Sequence, residues 1–187
     1  MKIYKLFVTV VLLGFLAGVS TDAVAEDSFI SWLFSIDRKS EVAPVHNDTY
    51  SEECGACHVT YPPGLLPSAS WRKLLAADAL ADHFGDNAEL DDDVRTRILA
   101  FLEQNGADKS YYKRSRKIMA SLKGAAPLRI TEVPYIHDKH EEIPERLVKG
   151  NPEVKSLSFC NACHRQIGKF RFDDDTVDIP GYGNWTW

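Results

Sequence analysis

The pentapeptide Cys-x-x-Cys-His occurs twice, as Cys54-Gly55-Ala56-Cys57-His58 and as Cys160-Asn161-Ala162-Cys163-His164, and the two copies use all four cysteines. Two thiols at this spacing can each add to one vinyl group of a haem, and the adjacent histidine then reaches its iron. A chain with two such attachment points folds around two large, flat, apolar groups, which take over much of the role of a side-chain core. Two readings compete. Four cysteines in an exported protein can form two disulfides, and two Cys-x-x-Cys pairs can form a four-cysteine zinc site. Neither explains why a histidine follows both pairs directly in a chain with only six histidines. The motifs therefore predict two haem c groups, attached through Cys54, Cys57, Cys160 and Cys163, with His58 and His164 as proximal iron ligands.

The N-terminus supplies the export that this chemistry needs. Lys2 and Lys5 precede an apolar run over residues 6–19, and Ala23-Val24-Ala25 gives a small-x-small cleavage site before Glu26. That order predicts a signal peptide over residues 1–25 and a periplasmic protein. The apolar run is shorter than the ~20 residues of a spanning helix, and no later stretch is apolar enough to span a membrane. The formal charge of −5 becomes −6 once Lys2, Lys5 and Asp22 are removed. An acidic protein of this kind is unsuited to nucleic acid or anionic lipid and compatible with a basic redox partner.

Residues 26–187 are expected to form one dihaem domain, with 26–50 as a loosely packed lead-in. Its fold class is mostly α with long irregular loops, since strand signals are sparse. A helix start is expected at residues 51–53, ahead of the first motif. The loop Tyr61-Pro62-Pro63-Gly64-Leu65-Leu66-Pro67 cannot continue a helix. Ser68 or Ser70 is placed to open a helix that runs to about Phe84 and stops at Gly85. A second helix spans about residues 91–105, opened by Asp91-Asp92-Asp93 at the positive end of its dipole and closed by Asn105-Gly106. The acidic stretch 86–93 lacks the spacing of a calcium loop. Residues 108–123 form a short basic helix, whose arginines are suited to solvent or to haem propionates. Residues 125–136 suggest an extended crossing, Pro152 a helix start, and residues 170–187 a tail without regular structure.

The sixth ligand of each iron decides between a closed electron carrier and an open, reactive site. Met119 is the one methionine beyond the signal peptide, so two His/Met sites are excluded, and Met119 itself reads as core beside Ile118 and Leu122. His46, His83, His137 and His140 remain. His83 lies on the apolar flank of its predicted helix and is the first candidate. His137 and His140 stand one helical turn apart, so one of them is expected to bind. His46 sits in a polar loop.

The stretch from Glu53-Cys54 through the Pro-Pro-Gly-Leu-Leu-Pro loop and Ser70-Trp71 to His83-Phe84-Gly85 resembles a known family. So do Arg129-Ile130-Thr131, Asp138-Lys139-His140 and the second motif. The family is that of the small bacterial periplasmic dihaem cytochromes c that reduce a small oxygen-binding class I-like haem protein. The resemblance implies two low-potential bis-histidine haems, with His83 as distal ligand of the Cys54/Cys57 haem and His140 of the Cys160/Cys163 haem. It also implies a soluble haem protein as electron acceptor, and a membrane cytochrome b or another quinol-linked protein is the expected donor. Bis-histidine closure makes the chain a carrier rather than an enzyme. The readings it competes with are a small peroxidase-like haem enzyme with one open iron and a dihaem subunit of a terminal reductase.

Overall fold

Asn47 starts the first helix. Its side chain accepts a hydrogen bond from Tyr50 N at 2.8 Å, and Asp48 sets a carboxylate in the first turn. This helix, α1 (Asp48–Gly55), begins ahead of the expected residues 51–53 and carries Cys54 in its last turn. The structure is a computed structural model that describes residues 40–185. The expected signal peptide and residues 26–39 of the lead-in lie outside the described residues. Residues 40–50 are tied in: Val42 is fully buried, and Glu41 pairs with Arg114 and receives Phe172 N at 3.0 Å.

The proline-rich loop is the centre of the main core. Pro62 to Ser68 are all buried, with a single 3₁₀ turn at Pro63–Leu65. Burial of so much irregular backbone requires partners for its carbonyls. Trp71 Nε1 donates to Pro63 O, and Ser115 Oγ donates to Gly64 O, both at 2.8 Å, while Ala107 N donates to Leu66 O at 2.8 Å. A Cβ on Gly64 would lie 2.8 Å from Ser115 Oγ. Gly64→Ala is therefore expected to cost about 1–3 kcal/mol, read from denaturation of the haem-loaded protein. Gly64→Ala combined with Ser115→Ala should recover part of that loss.

The expected helix from Ser68 to Phe84 is two helices, α2 (Ser68–Leu74) and α3 (Ala77–Ala81). No proline or glycine causes the break. Ala76 turns to extended backbone, and the carbonyl of Leu75 accepts instead from Arg95 Nη1 at 3.2 Å. A tertiary hydrogen bond has taken the place of a helical one. Past α3, Phe84 and Gly85 both take left-handed backbone, with φ of 58° and 104°. They form a tight turn closed by His83 N donating to Asp86 O at 2.7 Å. His83 thus stands on the arm of a turn rather than on the flank of a helix.

The second predicted helix is present as α4 (Asp92–Asn105), which buries Ile98 and Leu102 against α2. At its end Gly106 has an ordinary φ of −59°. Glycine is needed there for space, because a Cβ would meet Ser68 N and Oγ at 2.8 Å. Just beyond, Asp108 Oδ1 accepts from Ser68 N at 2.6 Å and so caps α2 from another segment. Burial pushes the Asp108 carboxyl up, but the hydrogen bonds led by Ser68 outweigh it and hold the group below its usual value. The basic segment forms α5 (Lys113–Leu122), with Ser115, Ile118 and Leu122 buried.

Three further expectations need correction. The crossing at residues 125–136 is not simply extended. It holds a 3₁₀ turn at Ile130–Glu132 and opens α6 (Pro134–Asp138), where Pro134 occupies the first turn and its missing N–H costs nothing. Pro152 starts no helix, and the helix of that region is α7 (Glu145–Val148). The tail is not without regular structure: β1 (Asp178–Ile179) pairs antiparallel with β2 (Gly183–Asn184), Ile179 facing Gly183 in register. Gly181 and Gly183, with φ of 71° and 99°, supply the left-handed backbone between and within the strands.

The protein is mostly α with long loops, as expected. The main core gathers around Leu65, Leu66, Ile98, Leu102 and Ile118, and a smaller cluster holds Leu147, Val148, Val154, Val177 and Ile179. The second cluster packs under α8 (Cys160–Cys163), the second haem motif. Among the described residues no helix is long and apolar enough to cross a membrane.

Candidate haem sites

The second motif lies on a single turn, α8, with Cys160 at its start and Cys163 at its end. The chain leaves it at His164, which bridges to Val177 of the tail. The His164 ring packs edge-on against Phe172 at 5.3 Å and faces His140 at 6.0 Å between ring centroids. Two imidazoles on one metal require about 2 Å from each ligand nitrogen to the ion, which with the ring radii puts their centroids about 6 Å apart. The observed pair meets that requirement.

The electrostatics of this pair suit ligation. Burial pushes the His164 ring down to about 4, with His140 and Arg114 acting in the same direction. Burial also holds His140 below its usual value, against the pull of the Ile136 carbonyl. Both rings are therefore neutral at pH 7, the form that offers a lone pair to iron. Nδ1 of His140 lies 2.7 Å from Ile136 O. A carbonyl only accepts, so Nδ1 carries the proton and the lone pair lies on Nε2, the atom a metal could take. Two clefts meet at this pair. One is lined by Leu65, Ile130 and Ile136, the other by Ile143, Leu147, Val154 and Val177, and both include Cys160, His140, His164 and Phe172. Both are lined mainly by apolar side chains, the surroundings a flat apolar group takes. Arg114 lines the second cleft, and its Nε is buried with no partner among the described residues, a donor of the kind a haem carboxylate would take.

The first motif is arranged differently. Cys54 sits in α1 and packs on the main core, whereas Cys57 follows the helix and is exposed. None of the four cysteines is in a disulfide. Burial pushes the Cys54 and Cys160 thiols up to about 11. His58 Nδ1 lies 2.8 Å from Val59 O and must donate to it, which leaves Nε2 free of that bond. The His58 ring stacks on Tyr61 at 4.8 Å and 29°. Burial pushes the Tyr61 hydroxyl up to about 12. His83 is half-buried beside Phe84, whose ring carries the Arg129 guanidinium at 3.8 Å. Burial holds His83 below its usual value, and His58 and Arg129 push it the same way, so the two histidines share one electrostatic neighbourhood.

The structure thus brings His140 to His164 and His83 toward His58. The other candidates are not paired in this way. His137 lines the same cleft as His140, but its side chain is 66% exposed and its Nδ1 lies 3.7 Å from Asp138 Oδ1. His46 is exposed and packs on Phe170 at 5.1 Å. Met119 packs against the main core. Sequence reasoning missed Phe172, which orients His164, because it falls in a stretch with no periodic signal. It also left Arg114 among several interchangeable basic residues.

A helical chain wound about two Cys-x-x-Cys-His turns, with a neutral histidine facing at least one of them, defines a c-type cytochrome with two haems. The chain belongs to the dihaem cytochrome c family, whose model matches residues 50–172. A dihaem cytochrome c from Shewanella baltica OS155 is similar at 43% identity and a TM-score of 0.62, over 75% of this chain and 98% of that one. A dihaem cytochrome c from Rhodobacter sphaeroides is similar at 36% identity and a TM-score of 0.60, over 68% of this chain and 98% of that one. No match was found among curated proteins. The protein carries two haem c groups, and its family works by haem electron transfer.

Proposed function

We propose that this protein is a periplasmic electron shuttle, exported by a cleaved signal peptide, whose two haems are both closed by histidine. Cys54, Cys57, His58 and His83 hold one haem, and Cys160, Cys163, His164 and His140 hold the other. Each haem supplies a one-electron iron couple. The residues around it fix the orientation of its ligands. A membrane cytochrome b or another quinol-linked protein is the donor, and a soluble haem protein, of the small oxygen-binding c type, is the acceptor. The observation that carries this reading is the His140–His164 pair, 6.0 Å apart and set in an apolar cleft.

The reading is tested by the spin state of each iron. Purified protein is expected to give two haems c per chain by pyridine haemochrome and two low-spin ferric signals by EPR. His83→Ala should keep both haems attached and turn one of them high-spin. An unchanged spectrum in that variant would remove His83 from the ligand set.

A further inference from the structure

Among the described residues, Tyr61 makes contacts that reach from the first haem motif to the segment entering the second. Its ring stacks on the imidazole of His58 at 4.8 Å. Its hydroxyl donates to Ser158 O at 2.6 Å, two residues before Cys160 and 97 positions along the chain. Its own carbonyl accepts from Tyr50 Oη at 2.9 Å, so the backbone that carries the ring is held as well. Tyr50 belongs to α1, the helix that bears Cys54. One residue thereby joins the helix of the first motif, the ligand ring of the first haem and the strand of chain entering the second.

A stacked ring limits rotation of the imidazole it covers. A short O–H···O bond to a backbone carbonyl limits how far the second motif can move from the first. Elsewhere the first motif is held by Cys54 on the main core and by His58 Nδ1 on Val59 O, while Gly55 and Cys57 are exposed.

We propose that Tyr61 is the positioning residue between the two haems, orienting the His58 imidazole with its ring and anchoring the Cys160 segment with its hydroxyl. This rests on His58 as an iron ligand, as set out above. Tyr61 acts as a neutral phenol and is not itself oxidised. An electron passing between the two haems would oxidise one iron and reduce the other, and Tyr61 would keep its phenolic proton.

Tyr61→Phe and Tyr61→Leu in the haem-loaded protein separate the two contacts. Tyr61→Phe keeps the stack and removes the anchor. It should retain both low-spin EPR signals, raise amide exchange at residues 158–160 about fivefold, the loss of one ordinary hydrogen bond, and slow electron exchange between the haems severalfold. Tyr61→Leu should in addition shift the g-values of one haem only. Inter-haem exchange at the wild-type rate in both variants, with unshifted g-values in Tyr61→Leu, would overturn the proposal. Should Tyr61→Leu lose a haem, the exchange rate in Tyr61→Phe decides alone. A high-spin first haem in the wild-type protein would instead overturn the ligand reading, so the two failures are distinguishable.

Discussion

His140→Ala is expected to convert one of the two haems from low-spin to high-spin and to open it to carbon monoxide, while the other haem keeps its spectrum. His140 is the single imidazole that faces His164, at 6.0 Å, and its proton is already committed to Ile136 O. Around it the buried lining of the cleft includes Leu65, Ile130 and Ile136, which cannot ligate iron, while His137 and Glu141 line it from exposed positions. Loss of the ring therefore leaves the iron without its buried ligand on that side. His137→Ala is the matching control. That side chain is exposed and directed at Asp138, so its removal should alter neither spectrum. Optical and EPR spectra with and without carbon monoxide check both variants. If His137→Ala rather than His140→Ala opens the site, the ligand assignment between these two histidines is reversed.

The second large effect belongs to Arg114. Its Nη2 meets the Glu41 carboxylate and donates to Phe172 O at 3.2 Å, with the two side chains only 10% and 18% exposed. Glu41 in turn receives Phe172 N, and the guanidinium lies 5.5 Å from the centre of the Phe172 ring. Arg114→Met would leave a nearly buried carboxylate without its counter-charge. The expected cost is about 3–5 kcal/mol, or roughly a 10 °C fall in the melting temperature for a domain of this size. Glu41→Gln in the same chain should restore part of it, because the stranded charge is then gone. Thermal denaturation of the haem-loaded single and double variants measures this. A cost under about 1 kcal/mol, the level of an ordinary surface pair, would show that the clasp contributes little.

That clasp also explains why the lead-in could not be read ahead of the fold. Glu41 lies in a stretch without periodicity, and its partners are 73 and 131 positions away. Helix α4 was legible in full, because apolar spacing, an acidic start and Asn-Gly at the end all act within one segment. The break between α2 and α3 was not, because Arg95 of another helix withdraws the Leu75 carbonyl. The small sheet of the tail was missed for a similar reason. Its strands are two residues long, too short for any alternation to register, and they are held by the turn and by the contacts of Val177 and Ile179.

The two haem motifs, the limit on methionine ligands and the mostly helical class followed from the sequence, because thiol spacing, residue counts and helical periodicity are local properties of a chain. The burial of His140 against the exposure of His137, the orientation of His164 by Phe172 and the link from His58 through Tyr61 to Ser158 did not. Each depends on which side of a short turn faces the core and on contacts between segments far apart in the chain. Those are set only when the buried loop at residues 62–68 and its partners close the core together.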